Sequence, residues 1–349
     1  DKLIMYGILM AAIPLITLSI MRIYCHRKYA ECVLSLRRYF DRSLMKEMTG
    51  FAGWNFLGSI SALVGNYGNG LVLNHFYGAT LNAATGIANQ LNGQLLVFSN
   101  NMLKAVNPVI TKSEGGGNRE KMLDLSTTSC KFAFAMLAFI AIPVIIEMPF
   151  IQKIWLKNIP KWAILFALSF SSAYVKLSLP EATAHFSGRT LIEQLTISYW
   201  AAIAAEGRIA VYNTLISLLN FLPVSFLFIL FSLGYSPVMM YVLNISIFGI
   251  LLDIVRIYFM HRNCGLEYKK FIFDLFIPVT LSFGISFVMT YIPQFFMGDG
   301  WSRLLLTFFM GVFSFWLSFW FISVNKIERT LILSMLRNIR AKIISYKKL

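Results

Sequence analysis

The sequence predicts an all-α polytopic membrane protein of about nine transmembrane helices. Three observations carry this expectation. Apolar runs of about 20 residues, the length that crosses a bilayer, recur along the 349-residue chain. Only 13% of residues are charged, about half the share in a soluble domain. The formal net charge of +15 is gathered in short loops and the tail. No basic groove or stacking motif accompanies it, so nucleic acid is not an expected partner. The pattern suits membrane orientation and anionic headgroups.

The expected spans, in order, are roughly 3–24, 50–74, 80–110, 126–148, 211–232, 236–260, 273–293 and 303–323, with a ninth inside 162–205. Lysine and arginine orient them. Arg27, Lys28, Arg37, Arg38, Arg42 and Lys46 follow the first span, and Lys112, Arg119 and Lys121 follow the third. Arg262, Lys269 and Lys270 follow the 236–260 span, and Lys326, Arg329, Arg337, Arg340, Lys342, Lys347 and Lys348 form the tail. The positive-inside rule places all four regions, and the C-terminus, in the cytoplasm. The region 162–205 must then cross an odd number of times. One crossing near 188–205 is the economical reading, with 162–176 interfacial or re-entrant. Segment 29–48 reads as a basic amphipathic helix on the inner leaflet, and so does the tail. The chain opens on Asp1 directly before an apolar span, without a signal-peptide pattern, and reads as lacking its natural N-terminus.

The polar residues are patterned too. At 100° per residue Asn82, Gly86, Asn89, Gly93, Asn100, Lys104 and Asn107 fall along one line of the third span. Asn55, Ser59, Ala62, Asn66 and Asn69 do so in the second. Such stripes serve either as interhelical hydrogen-bonding glue or as the wall of a water-filled cavity suited to sugar hydroxyls. Lys104 either faces that cavity, where a point charge attracts phosphate, or snorkels to the nearby interface. Asp253 and Arg256, spaced i and i+3, form an intrahelical pair or act in gating or ion coupling. Glu147, at the outer end of its span, reads as interfacial.

Signatures of soluble chemistry do not appear. The run "EGGGN" from Glu114 lacks the following Lys-Ser/Thr of a phosphate loop and reads as a turn. Cys25, Cys32, Cys130 and Cys264 form no CxxC and read as free thiols. No metal site, cofactor or catalytic constellation is expected, and the acids Glu147, Glu181, Glu193, Glu206 and Asp253 suggest no pair.

The run "FAGWNFLGSISALVGNYGNGLVLNHFYGATLNAATGIANQLNGQ" from Phe51, with "AVNPVITKSEGGGNREKM" from Ala105, "IWLKNIP" from Ile154 and "AEGRIAVYN" from Ala205, resembles polysaccharide (O-antigen) flippases of the Wzx type. These belong to the multidrug/oligosaccharidyl-lipid/polysaccharide exporter superfamily. The resemblance extends over nearly the whole chain and is most specific over 51–121. It implies a MATE-like two-lobe transporter fold with a central cavity, Asp1 lying near the sixth helix. Residues 1–48 would then hold the last helix of the first lobe and a basic linker. Residues 49–260 would form the six-helix second lobe, 261–323 an added helix pair and 324–349 a cytoplasmic tail. It implies flipping of undecaprenyl-diphosphate-linked oligosaccharide across the bacterial inner membrane for surface polysaccharide synthesis. Partners would be that lipid, membrane lipids, and the polymerase and glycosyltransferases of the pathway. Lys104 would meet the diphosphate and the asparagine faces the sugars. Many relatives carry Arg where this chain has Thr85, so no anion contact transfers there. About twenty inserted residues lie between Trp155 and Pro180. The alternatives are a multidrug cation antiporter, which needs a cavity carboxylate and aromatics, and a membrane glycosyltransferase or polymerase, which needs a large outer loop with clustered Arg or acids.

Overall fold

The computed structural model describes residues 2–29, 40–155, 189–237, 240, 242–326, 328–330 and 333–334. Every regular element among them is helical. In order these are α1 (Lys2–Lys28), α2 (Arg42–Tyr77), α3 (Ala79–Gly115), α4 (Arg119–Ile146), α5 (Met148–Trp155), α6 (Arg189–Gln194), α7 (Ile197–Glu206) and α8 (Ala210–Ser232). A π-helical segment, Val242–Gly249, leads into α9 (Ile250–Cys264). Then come α10 (Tyr268–Phe296) and α11 (Trp301–Ser323). Five helices are long and apolar enough to cross a membrane: the Gly7–Lys28 part of α1, α4, α8, α10 and α11. The chain is a multi-pass, all-α membrane protein. At 36 and 37 residues α2 and α3 also exceed the ~30 Å hydrocarbon core at 1.5 Å per residue. Their polar content keeps them out of the strongly apolar set.

The chain divides into two compact units, Asp1–Ala52 and Gly53–Leu349. In the first, α1 exposes apolar side chains all round, from Ile4 to Ile23, as a lipid-facing span does. It ends on His26, Arg27 and Lys28, cations placed where the helix dipole favours them. Asp41 then accepts from the Ser43 and Leu44 backbone N–H groups. This cap starts α2 at Arg42 rather than at 50. With no Gly or Pro before Gly50, residues 42–48 continue as one helix with the span, so that part of the expected surface helix belongs to α2. Residues 30–39 lie outside the described residues. So does the stretch 156–188, with the interfacial piece expected there, and the tail from 335 on.

In the second unit, α4 is the central helix. It is buried along most of its length, and Ala133, Ala138 and Ala141 are fully buried where neighbours approach. Lipid is as apolar as a core, so burial in a bilayer gains little. Close packing through small residues and polar contacts holds the helices together instead. One end of the bundle gathers the end of α3, the start of α4, the end of α9 and the start of α10. Arg119 Nη1 donates to the Asn263 carbonyl at 2.8 Å, and Lys270 pairs with Asp124 at 2.5 Å. The last turn of α7 joins them, Cys264 Sγ lying 4.0 Å from the Ala202 carbonyl. At the other end Gln294 donates to the Ile146 carbonyl at 2.8 Å, and Tyr77 donates to the Tyr235 carbonyl. Helices therefore run alternately up and down, and the broken pair α6–α7 spans the stretch expected to cross near 188–205. The turns use glycine where φ is positive: Gly78 (+80°) between α2 and α3, and Gly117 (+75°) in the "EGGGN" turn. Asn118 then caps α4 by accepting from Lys121 N at 3.0 Å.

Helices α10 and α11 form a hairpin laced by hydroxyls. Ser282 Oγ bonds Ser323 Oγ at 2.8 Å and the Ser318 carbonyl at 3.2 Å, and Ser318 Oγ returns a bond to the Ser282 carbonyl. Ser286 and Ser314 meet at 3.0 Å. Two buried ion pairs tie this hairpin to α4. Arg303 forks onto Glu147 at 2.9 and 2.8 Å, with Thr307 donating to the same carboxylate at 2.9 Å. Lys131, 1% exposed, bonds both oxygens of Glu328 at 3.0 Å. Glu147 closes the C-terminal end of α4, as expected of it, but it is buried inside the protein at 0% exposed, and its charge is met by a bidentate guanidinium.

Candidate functional site

A cavity of about 510 Å³ opens within the second unit. From α2 it takes Asn55, Gly58, Ser59, Ala62, Gly65 and Asn66, and from α3 Asn92 and Leu96. Thr190 and Glu193 of α6, Trp200 of α7 and Tyr212, Asn213, Ile216, Leu219, Asn220 and Pro223 of α8 complete two more sides. Phe248, Leu252 and Arg256 close it from α9 and the segment before it.

The α2 stripe meets α8 across small residues. A Cβ on Gly65 would lie 3.1 Å from the Asn220 carbonyl, and one on Gly68 3.1 Å from Val224, so the backbones approach where only glycine fits. Asn213 donates to the Trp54 carbonyl at 3.0 Å and Asn220 to Ser61 Oγ at 3.4 Å. These two amides act as interhelical glue and as cavity wall at once. Asn92 presents a buried Oδ1 that meets no donor among the described residues. A buried acceptor without a partner costs about 1–3 kcal/mol, which a ligand or water inside the cavity would offset.

The charged part of the wall sits at a helix break. Thr196 N bonds the Glu193 carbonyl and Leu195 N the Ile192 carbonyl, a tight turn that interrupts the helix between α6 and α7. Arg256 gathers the broken ends. Its Nη2 donates to Glu193 at 3.2 Å, and its Nη1 to Thr196 Oγ1 at 3.2 Å and to Asp253 at 3.4 Å. Thr196 donates in turn to Asp253. Asp253 and Arg256 are therefore more than an intrahelical pair: they anchor the start of α7. Interrupted helices at membrane depth are tolerated where they line a cavity, and transporters bind solutes at such breaks. Glu193 and Asp253, expected to suggest no pair, converge on one guanidinium.

Of the residues expected on the cavity wall, Asn55, Ser59 and Asn66 line it together. Asn69 lies a turn further along α2, half-buried, and Asn82 packs its Oδ1 against Gly70. Asn89, Asn100 and Lys104 are exposed on a different face of α3, and Asn107 is half-buried with its Oδ1 covered. At 100° per residue Asn92 sits about 80° round from the Asn82 line, so α3 turns a neighbouring strip inward. Lys104 makes no ion pair among the described residues. Thr190, Glu193, Trp200, Asn213 and Asn220 were missed. Asn213 and Asn220 carried a usable signal, two amides at i and i+7 sharing a face with Tyr212, Ile216 and Pro223. Glu193 carried none, because its partners lie some 60 residues away.

No protein-family model, curated protein or solved structure matches this chain.

Proposed function

We propose that this protein translocates undecaprenyl-diphosphate-linked oligosaccharide across the bacterial inner membrane, the sugar head passing through the amide-walled cavity while the polyprenyl tail stays in lipid. The single observation carrying this reading is that wall. Asn55, Asn66, Asn92, Asn213 and Asn220 face a 510 Å³ space inside a membrane helix bundle. Side-chain amides offer paired donors and acceptors, the complement of sugar hydroxyls. Trp200, 46% exposed at the wall, adds a flat apolar face. On this reading the fold is MATE-like, with about nine helices in this chain, a cytoplasmic C-terminus and rocking about the cavity as the transport motion. The protein then catalyses no covalent step and works beside the polymerase and glycosyltransferases that make and use its cargo.

A specific observation favours a second reading, a multidrug cation exporter. The wall holds a carboxylate, Glu193, together with Trp200, Tyr212 and Phe248, the features such an exporter needs. Complementation separates the two. In a strain lacking its own oligosaccharide flippase the protein should restore surface glycan, and the Asn66→Leu/Asn92→Leu double variant should not. Drug resistance conferred without glycan would establish the second reading. Lys104→Ala tests the diphosphate role separately, and undiminished glycan export by that variant would remove Lys104 from the mechanism.

A further inference from the structure

One aromatic ring on the cavity wall is uncommitted. Among the described residues three rings line the space: Trp200 of α7, Tyr212 of α8 and Phe248 just before α9. Tyr212 and Phe248 are buried, packed at 5.5 Å against Phe259 and at 6.0 Å against Phe226. Trp200 packs on no ring among the described residues and stays 46% exposed. Its neighbours Tyr199, Ala201, Ala202 and Ile203 are buried, so the rest of this turn is packed and the indole side is open. The start of the helix is anchored, because Arg256 donates to Thr196 Oγ1 at 3.2 Å and Thr196 donates to Asp253. Trp200 follows about one turn later. An anchored backbone therefore holds a free indole face at a wall that also presents Asn66, Asn92, Asn213 and Asn220.

We infer that Trp200 is the platform on which a pyranose ring of the cargo stacks, with the wall amides taking the hydroxyls at the ring's edge. This deepens the flippase reading and rests on it. The face of an aromatic ring is negative, and the axial C–H bonds on one face of a hexopyranose are polarised positive by the neighbouring oxygens. The two flat apolar faces also leave water together, which favours their contact. The cargo is narrowed to glycans built of pyranose units with an unbroken C–H face. Acyclic polyol chains carry the same hydroxyls and no such face.

The test uses the protein in lipid nanodiscs, with cellobiose as the pyranose probe and sorbitol as the acyclic one, titrated by saturation-transfer NMR. Cellobiose should bind at least about tenfold more tightly than sorbitol. Trp200→Phe should keep cellobiose binding within about threefold, whereas Trp200→Leu, apolar but without a π face, should weaken it about tenfold. Bound cellobiose should also shield Trp200 from aqueous iodide, read on the fluorescence that Trp200→Phe removes. Should Trp200→Leu not fold, that shielding decides alone. Quenching of the Trp200 emission by bromine-labelled lipid and not by iodide would put the ring in the bilayer and overturn the inference. Cellobiose binding no tighter than sorbitol, or undiminished in Trp200→Leu, overturns it too and leaves the flippase reading standing. Binding of tetraphenylphosphonium with no sugar bound overturns the flippase reading and this inference with it.

Discussion

Arg256 is the residue on which the cavity's polar end depends. Its guanidinium spans two carboxylates and a hydroxyl on three segments, a fork that a lysine ammonium cannot reproduce. Arg256→Ala would take from Glu193 and Asp253 the guanidinium they share, and Arg256→Lys would satisfy only part of the set. On the transport reading both variants should lose export, and Arg256→Ala should lose stability by about 3 kcal/mol, the cost of removing one partner from a buried ion pair. Thermal unfolding in detergent and glycan export in cells read the two effects. Wild-type export by Arg256→Ala would remove the cluster from the mechanism. Glu147 and Arg303 give a cleaner stability case because they lie away from the cavity. Glu147→Ala would leave Arg303 only its half-exposed second partner, Asp299, and should cost about 3 kcal/mol, whereas replacing Glu147 and Arg303 by leucine should cost much less, since no buried charge is then left unpaired. Equal losses in the single and double variants would contradict this account. How such residues read in the sequence depends on where their partners lie. Asp253 and Arg256 announced themselves at i and i+3. Glu147 with Arg303, and Glu193 with Arg256, are joined only by the fold, so neither pair was legible in the sequence.

Elements show the same division between local and tertiary information. Span lengths, glycine turns and basic loops are local properties, and α1, α4, α8, α10 and α11 were legible from them. The inward face of α3 was not. Periodicity locates a polar stripe, but neighbours decide which strip of the helix is wet, and here Ser99 bonding Gln194 of α6 fixes the rotation. The α10–α11 hairpin tests whether hydroxyls carry helix association in this bundle. Ser282 makes three contacts, to Ser318, Ser323 and its own helix at Pro278. Ser282→Ala should cost about 0.6–1.7 kcal/mol, the span measured for such bonds in membrane bundles. Gly311 sits where three helices meet. A Cβ there would lie 3.1 Å from Thr290 Cγ2 and 3.2 Å from Pro143 Cδ. Gly311→Ala should therefore cost about 1–3 kcal/mol by overpacking, and Gly311→Leu should prevent the hairpin from docking on α4. Denaturant titration of both variants checks the order. An unaltered midpoint for Gly311→Leu would mean that the hairpin does not pack as described.

For the whole molecule, the claim that matters is that one side of an apolar bundle is wet. The 57% hydrophobic composition and the exposed Val288, Phe309 and Phe313 of the hairpin describe a surface made for lipid. Asn66 and Asn220 describe a space made for water, at depths where an unsolvated amide would be costly. The two environments differ in a property that thiol chemistry reports, because maleimides react with the thiolate and a thiol in hydrocarbon does not ionise. In a variant with Cys25, Cys32, Cys130 and Cys264 replaced by alanine, Asn66→Cys and Asn220→Cys should label with a charged, membrane-impermeant maleimide. Val288→Cys and Phe309→Cys should stay unlabelled although both positions are open in the protein. A bound oligosaccharide should slow the first pair and leave the second unchanged. If all four positions proved equally inert in membranes, the amides would be glue alone and the cavity dry. The transport reading would then lose its path, because a sugar head cannot cross a bundle whose only polar groups are already bonded to each other.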